Sequence, residues 1–217
     1  MMENILNGNR RVLILSPHTD DAELGCGGTI VRLVASGAEV WMAAFSLAKE
    51  SLPLGSAPDR LHGEFLCAAK TLGVDLQRTF VYDYPVRHFS ERRQKLLDQL
   101  VEIRRKVLPH VVFVTSSTDV HQDHQVLHNE ALRTFKDNTL WGYELPWNSL
   151  NFSAQAFVIL GKEHLDRKRA ALQAYQSQIE LQRPYFAPEF IEGLARVRGM
   201  QIRAEYAEAF EVIRVKW

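Results

Sequence analysis

The sequence predicts an α/β fold: a Rossmann-like, doubly wound, mainly parallel sheet with helices on both faces. Three observations point there. Apolar runs of strand length alternate with stretches of helical periodicity. The first and fourth of those runs are nearly continuous in apolar residues, as strands covered on both faces require. The chain has 217 residues, the length of one domain with a sizeable core, so residues 1–217 are read as a single domain.

The elements follow in order. Residues 11–16 form the first strand. Gly25-Cys26-Gly27-Gly28 reads as a turn cluster, and residues 29–36 as a helix ending at Gly37. Residues 39–45 are a second strand. Residues 48–58 hold two prolines, two serines and a glycine, the composition of a loop. A helix over 60–72 ends at Gly73, and 78–82 is the third strand. Ser90 is placed as the N-cap of a helix running to about Val107, with Glu91 in its first turn. Residues 111–115 are the fourth strand and 124–135 a helix. Strands follow at 140–144 and 156–160, then a long helix over 162–180 and a last strand at 210–215.

Composition excludes several classes. Hydrophobic residues make up 46% and charged residues 24%, which argues against disordered, collagen-like and coiled-coil chains. Lys+Arg and Asp+Glu balance at 26 each, so no global field attracts nucleic acid or an anionic membrane. Cys26 and Cys67 form no CxxC pair and suggest no disulfide framework, which favours a reducing compartment. The start of the chain is polar, and the apolar run at 12–15 is too short for a signal core or a membrane span. The protein is therefore expected to be soluble and cytoplasmic. Self-association is left open.

Ligands of doubly wound sheets bind at the carboxyl ends of strands near the switch point. Pro17-His18-Thr19-Asp20-Asp21 follows the first strand directly. An imidazole and two carboxylates this close are costly to bury without a cation. His18 and Asp21 offer the mixed nitrogen and oxygen set that zinc accepts, which leaves Asp20 free to act on an activated water. A polar turn with Asp capping the next helix is the bland alternative. The glycines fail the G-x-G-x-x-G fingerprint, since Ile30 stands at the third position. They either let backbone approach a ligand or serve packing.

After the fourth strand comes Asp119-Val120-His121-Gln122-Asp123-His124. His121 and His124 are three apart and can share a helix face. Asp119 and Asp123 are available to orient an imidazole through its second nitrogen. A His18/Asp21/His124 triad would leave one metal position open, and the other histidine could assist an oxyanion or leaving group. His128 is read as a solvated helix position.

These residues resemble a known family. Residues 17–28, Pro-His-Thr-Asp-Asp-Ala-Glu-Leu-Gly-Cys-Gly-Gly, are similar to the P-H-P-D-D-x-E-x-G-x-G-G signature of the PIG-L/LmbE-like zinc-dependent deacetylases. His121-Gln-Asp-His124 resembles their H-P-D-H motif. Arg60 and Glu64 before Leu72-Gly73-Val74, and Lys168 to Ser177-Gln178, resemble two further helices. The resemblance implies one zinc per chain on His18, Asp21 and His124. It implies Asp20 as general base, and His121, oriented by Asp123, as electrophile or acid. Arg60, Gly27 and Gly28 become candidate substrate contacts, although Arg60 could equally pair with Glu64 at i+4. Thr19 and Gln122 replace the motif prolines, neither of which is a ligand. No tyrosine stands beside the second motif, so carbonyl polarisation is left to zinc and His121.

The implied activity is removal of the N-acetyl group from an N-acetylglucosamine-type conjugate, releasing acetate and the amine. A non-catalytic sugar- or nucleotide-binding domain is the alternative, and the intact Asp20 argues against it. A two-metal phosphoesterase is a third reading, disfavoured by ligands for only one ion. The loop 48–58 and the segment 143–152 are expected at the pocket mouth, where Trp147 and Phe152 could meet a sugar face or a second subunit.

Overall fold

In the computed structural model, which describes residues 10–216, the chain alternates strands and helices. β1 (Arg11–His18) leads into α1 (Asp21–Ala35), β2 (Glu39–Ser46), α2 (Arg60–Leu72) and β3 (Thr79–Val81). α3 (Arg93–Val107), β4 (Val111–Thr115), α4 (Gln122–Thr134) and β5 (Thr139–Tyr143) follow. The remainder is β6 (Ala156–Leu160), α5 (Lys162–Leu172), α6 (Gln176–Glu180), α7 (Pro188–Met200) and β7 (Tyr206–Arg214).

Seven strands make one sheet in the order β3-β2-β1-β4-β5-β7-β6. The five strands β3 to β5 run parallel, and β7 lies antiparallel between β5 and β6. The fold is the α/β class that the alternation predicts. Successive β1 residues point to opposite faces. Val12 and Ile14 join a core shared with α1, α2 and α5. Leu13 and Leu15 join one with Leu96 and Leu100 of α3 and Leu127 of α4. Strand order reverses between β1 and β4, which puts the switch point at the ends carrying His18 and the loop before α4.

The structure departs from the sequence reading in four places. Gly25 to Gly28 lie inside α1 and not in a turn; the helix starts at Asp21 and kinks at Cys26 (φ −143°, ψ 24°). Ser90 caps no helix: it opens a 3₁₀ turn, and α3 begins at Arg93 with no side-chain cap. The helix expected over 162–180 is broken between α5 and α6, where buried Tyr175 turns its hydroxyl onto Thr19 O, 2.5 Å away. A helix that periodicity did not reveal, α7, starts with Pro188 at its first position and buries Ile191, Ala195 and Gly199. The polar start of the chain, residues 1–9, lies outside the described residues. Among the described residues no helix is long and apolar enough to cross a membrane.

Candidate active site

Two strand ends converge to build the site. At the end of β1, Ser16 Oγ accepts from Ala22 N (3.1 Å) and donates to His18 O (2.5 Å), which folds the chain back onto α1. Asp21 Oδ2 accepts from the main-chain N–H of His18 at 2.9 Å. At the start of α4, His121 is the N-cap: its Nδ1 accepts from Asp123 N at 3.2 Å. Asp119 Oδ1 accepts from His121 N at 2.9 Å.

The result is a compact triangle of donor atoms. His18 Nδ1 lies 3.1 Å from Asp21 Oδ2 and 3.2 Å from His124 Nε2, and His124 Nε2 lies 3.3 Å from Asp21 Oδ2. A tetrahedral zinc with bonds of about 2.0–2.2 Å holds its ligands about 3.3–3.5 Å apart. The triangle's edges lie within a few tenths of an ångström of those spacings, so such an ion needs only a slight spreading of the three side chains. The second nitrogen of each imidazole rests on a buried carboxylate: His124 Nδ1 on Asp119 Oδ2 (2.7 Å) and His18 Nε2 on Asp123 Oδ2 (3.2 Å). Such partners fix the tautomer and aim the other nitrogen at the ion. His121 completes a group of three imidazoles whose donor atoms lie within 4.8 Å of one another. Its ring stacks on that of His124, centroids 4.4 Å apart. With Nδ1 engaged as a helix cap, Nε2 is its free atom.

The Asp123 carboxylate does not hold His121 as the sequence reading had it. It carries His18, and it also accepts from Arg87 N (2.6 Å) and Phe89 N (3.3 Å), so it ties the loop before α3 to the site. Only its main-chain N–H reaches His121.

Charge in the site is arranged around Asp21. Burial opposes ionisation of Asp21, yet the His124 and His18 imidazoles outweigh it and hold the carboxyl well below the usual range. Burial likewise opposes the imidazolium at His18. Hydrogen bonds to Asp123 and Asp21 win, and carry its pKa up to about 9. At His124 burial is outweighed by the Asp21 charge and the Asp119 hydrogen bond, which raise the pKa to about 10. Protons on two imidazoles thus do what a cation would do, and a dication binding here must displace them. Burial and the neighbouring Asp21 push Asp20 up to about 7, the range of a general base at neutral pH. Burial first, then the charges of His124 and His18, lower His121 to about 4, so this imidazole is neutral at pH 7.

The triangle opens into a cleft of about 310 Å³. Asp20, Asp21, His18, His121 and His124 line it. Ala48 and Ser51 of the loop 48–58 and Trp147 and Asn148 line it as well, so both segments that the sequence reading expects at the pocket do reach it. Phe152 is not among the lining residues; it lies under the Arg198 guanidinium, 5.4 Å from ring centroid to Cζ.

The three expected substrate contacts are elsewhere. Arg60 is absent from the lining, and its guanidinium is taken by Glu180 (3.0 and 2.6 Å) and Glu64 (3.0 Å). Glu64 also accepts from Ser177 N and Oγ, so this group clasps α2 to the start of α6. Gly27 and Gly28 face the protein interior. A Cβ on Gly27 would meet Lys168 Cγ at 3.0 Å, and one on Gly28 would strike Leu160. The N–H groups of Gly28 and Thr29 donate to Glu208, and Lys168 Nζ donates to Glu208 and to Leu24 O. These glycines are packing residues at a helix kink. His128 is buried, not solvated, with Nδ1 2.8 Å from Thr115 O. Gln178, Arg183 and Tyr185 complete the cleft wall. The resemblance singled out Gln178 only as part of a helix motif, and nothing local marks the other two.

The chain matches the family described as PIG-L, GlcNAc-PI de-N-acetylase, over residues 13–135, more than half its length. It belongs to this family. An uncharacterized deacetylase of Escherichia coli strain K12, YaiS, is 27% identical over 179 residues, covering 79% of this chain and 93% of that protein. The N,N'-diacetylchitobiose deacetylase from Pyrococcus horikoshii superposes with a TM-score of 0.79 at 20% identity, covering 98% of this chain and 87% of that one. GalB, the 4-carboxy-2-hydroxymuconate hydratase of Pseudomonas putida KT2440, superposes with a TM-score of 0.74 at 20% identity over 95% of this chain and 97% of that one. The PIG-L scaffold therefore hosts more than one named activity, and the choice among them rests on the site.

Proposed function

We propose that this PIG-L family member is a zinc-dependent amidohydrolase that removes the N-acetyl group from an N-acetylglucosamine-type conjugate. The observation that carries the reading is the 3.1–3.3 Å triangle of His18, Asp21 and His124 with Asp20 beside it. Those three residues are the proposed ligands, and Asp119 and Asp123 hold the imidazoles in place. When bound, zinc supplies Lewis acidity, which polarises the acetyl carbonyl and lowers the pKa of a water towards roughly 7.

The protein's own groups do the rest. Asp20 lines the cleft, and its raised pKa suits proton exchange near neutrality. It takes the proton of the attacking water and returns it to the sugar nitrogen as the C–N bond breaks. Acetate and amine leave. His121 stays neutral, and with Nδ1 accepting from Asp123 N its hydrogen sits on Nε2. That N–H can donate to the oxygen of the tetrahedral intermediate. Trp147 and Tyr185 stack with centroids 4.1 Å apart at 14° and offer an apolar wall beside the sugar.

The test is acetate release by zinc-loaded protein from a panel of N-acetylglucosamine glycosides, run beside hydration of an unsaturated carboxylic acid. Acetate release lost on chelation and restored by zinc supports the reading. Hydration without acetate release, or acetate release that survives chelation, refutes it.

A further inference from the structure

Asp20 serves the cleft from a position that a helix would ordinarily claim. It is the N-cap of α1, with φ −106° and ψ −13°, and its side chain makes no cap hydrogen bond. An aspartate in that place normally accepts from the second or third N–H group of the helix. Here Ser16 Oγ takes the second of those, the N–H of Ala22, at 3.1 Å. The Asp20 carboxylate is thus released from capping, and its aim depends on the main chain that carries it. That main chain has no covalent stiffener. Thr19 stands where the resembled motif has proline, and proline alone fixes φ through its ring.

The restraint comes from a distant part of the chain. The Tyr175 hydroxyl donates to Thr19 O at 2.5 Å, the carbonyl of the Thr19–Asp20 peptide, and lies 2.8 Å from Glu23 Oε1. It therefore bridges the residue before Asp20 and the residue three after it, reaching back 156 positions to do so. A buried phenol as a rule finds one partner, and Glu23 alone would serve. The shorter contact goes instead to the peptide that carries Asp20. Tyr175 is itself held firmly. It sits at the break between α5 and α6 with φ −82° and ψ 60°. Its N–H donates to Leu172 O at 3.2 Å, and its carbonyl accepts from Gln178 N at 3.0 Å and Ile179 N at 3.1 Å. Its ring is fully buried, edge-on to Phe186 with centroids 6.0 Å apart. Two residues on, Ser177 is gripped through N and Oγ by the buried Glu64.

We propose that Tyr175 is a positioning residue that keeps the Asp20 carboxylate in place by clamping the Thr19–Asp20 peptide. The proposal rests on the deacetylase reading for the reaction that Asp20 serves, and the test separates the two. Three variants are compared with the native protein: Tyr175→Phe, which removes only the hydroxyl, Asp20→Ala, and the two combined. Each is loaded with zinc, checked by circular dichroism and metal analysis, and assayed for acetate release from the best substrate among the N-acetylglucosamine glycosides. Crystal structures of native and Tyr175→Phe protein are compared at Asp20.

Tyr175→Phe keeps the native dichroism and metal content. Its kcat falls about tenfold to a hundredfold, with KM within twofold. In the Asp20→Ala background the same change alters kcat less than twofold, because no carboxylate remains to be aimed. In the Tyr175→Phe crystal the Asp20 carboxylate is displaced or divided between two positions, while His18, Asp21 and His124 stay where they are. An unchanged kcat overturns the proposal, as does a loss of equal size in both backgrounds or one that follows metal content. So does an Asp20 carboxylate that keeps its native position in the crystal. Displacement of Asp20 in the crystal, with no acetate released by native protein from any glycoside, leaves the clamp standing and removes the deacetylase reading.

Discussion

Replacing Lys168 by methionine tests how α1 survives its kink beside the active site. At Cys26 the helix leaves its normal φ/ψ, which frees a carbonyl above the kink and N–H groups below it. Lys168 Nζ donates to Leu24 O and to Glu208 Oε1, both at 2.7 Å. Glu208 accepts from Gly28 N at 3.0 Å and Thr29 N at 2.6 Å. The lysine and glutamate side chains are 7% and 6% exposed, so neither charge is well served by solvent. Methionine preserves most of the apolar stem that packs on Gly27. It strands the Glu208 charge and leaves Leu24 O without its donor. Removing one partner of a buried pair costs about 3–5 kcal/mol. For a protein of this size that is a fall in melting temperature of about 6–20 °C. Urea and thermal unfolding followed by far-UV circular dichroism give the number. The double variant Lys168→Met/Glu208→Gln removes the stranded charge and should be more stable than the sum of the two single changes predicts. A Lys168→Met loss below about 1 kcal/mol, or strict additivity in the double variant, would mean that the pair does not sustain the kink.

Three further predictions concern the site. Asp20→Asn should keep its metal and lose about 10²–10⁴ in rate, whereas Asp21→Asn should lose metal and activity together and recover part of both with added zinc; metal analysis beside acetate release decides, and a metal-depleted, zinc-rescued Asp20→Asn reverses the roles. In metal-free protein the raised pKa values of His18 and His124, about 9 and 10, contribute stability that is complete below about pH 6.5 and lost as pH rises through them. The melting temperature of chelated protein should therefore fall from pH 6.5 to 10, and zinc-loaded protein should fall less; parallel curves would refute the exchange of protons for metal. Arg60→Ala should lower the melting temperature slightly by loosening α2 from α6 and leave KM within twofold; a larger rise in KM would return Arg60 to the substrate.

What the sequence reveals here is what is local. β1 and β4 read as strands because their apolar runs are unbroken, and the site candidates stand within a few residues of the ends of those strands. His18 and Asp21 are three apart, and so are His121 and His124, so one strand–helix turn each suffices to aim them. The errors come from partners that are far away in the chain. Gly27 and Gly28 look like a ligand nest until Lys168 and Glu208 arrive from about 140 and 180 positions later. For Arg60 the spacing leaves a substrate contact and a pair with Glu64 at i+4 equally open; the pair forms, and the distant Glu180 takes both terminal nitrogens. Asp123 could serve either neighbouring imidazole by spacing, and only the approach of β1 to α4 gives its carboxylate to His18. The cleft wall was the least legible part. Trp147 and Tyr185 meet through packing alone, and Arg183 depends on a turn whose strained residue, Gln182, carries no sequence signal for a left-handed backbone. The His/Asp cluster of the cleft is thus encoded in two short motifs, while the rest of its wall is assembled from residues spread over 48–185. Substitutions in the first should act on metal and rate, and those in the second on which molecule is accepted.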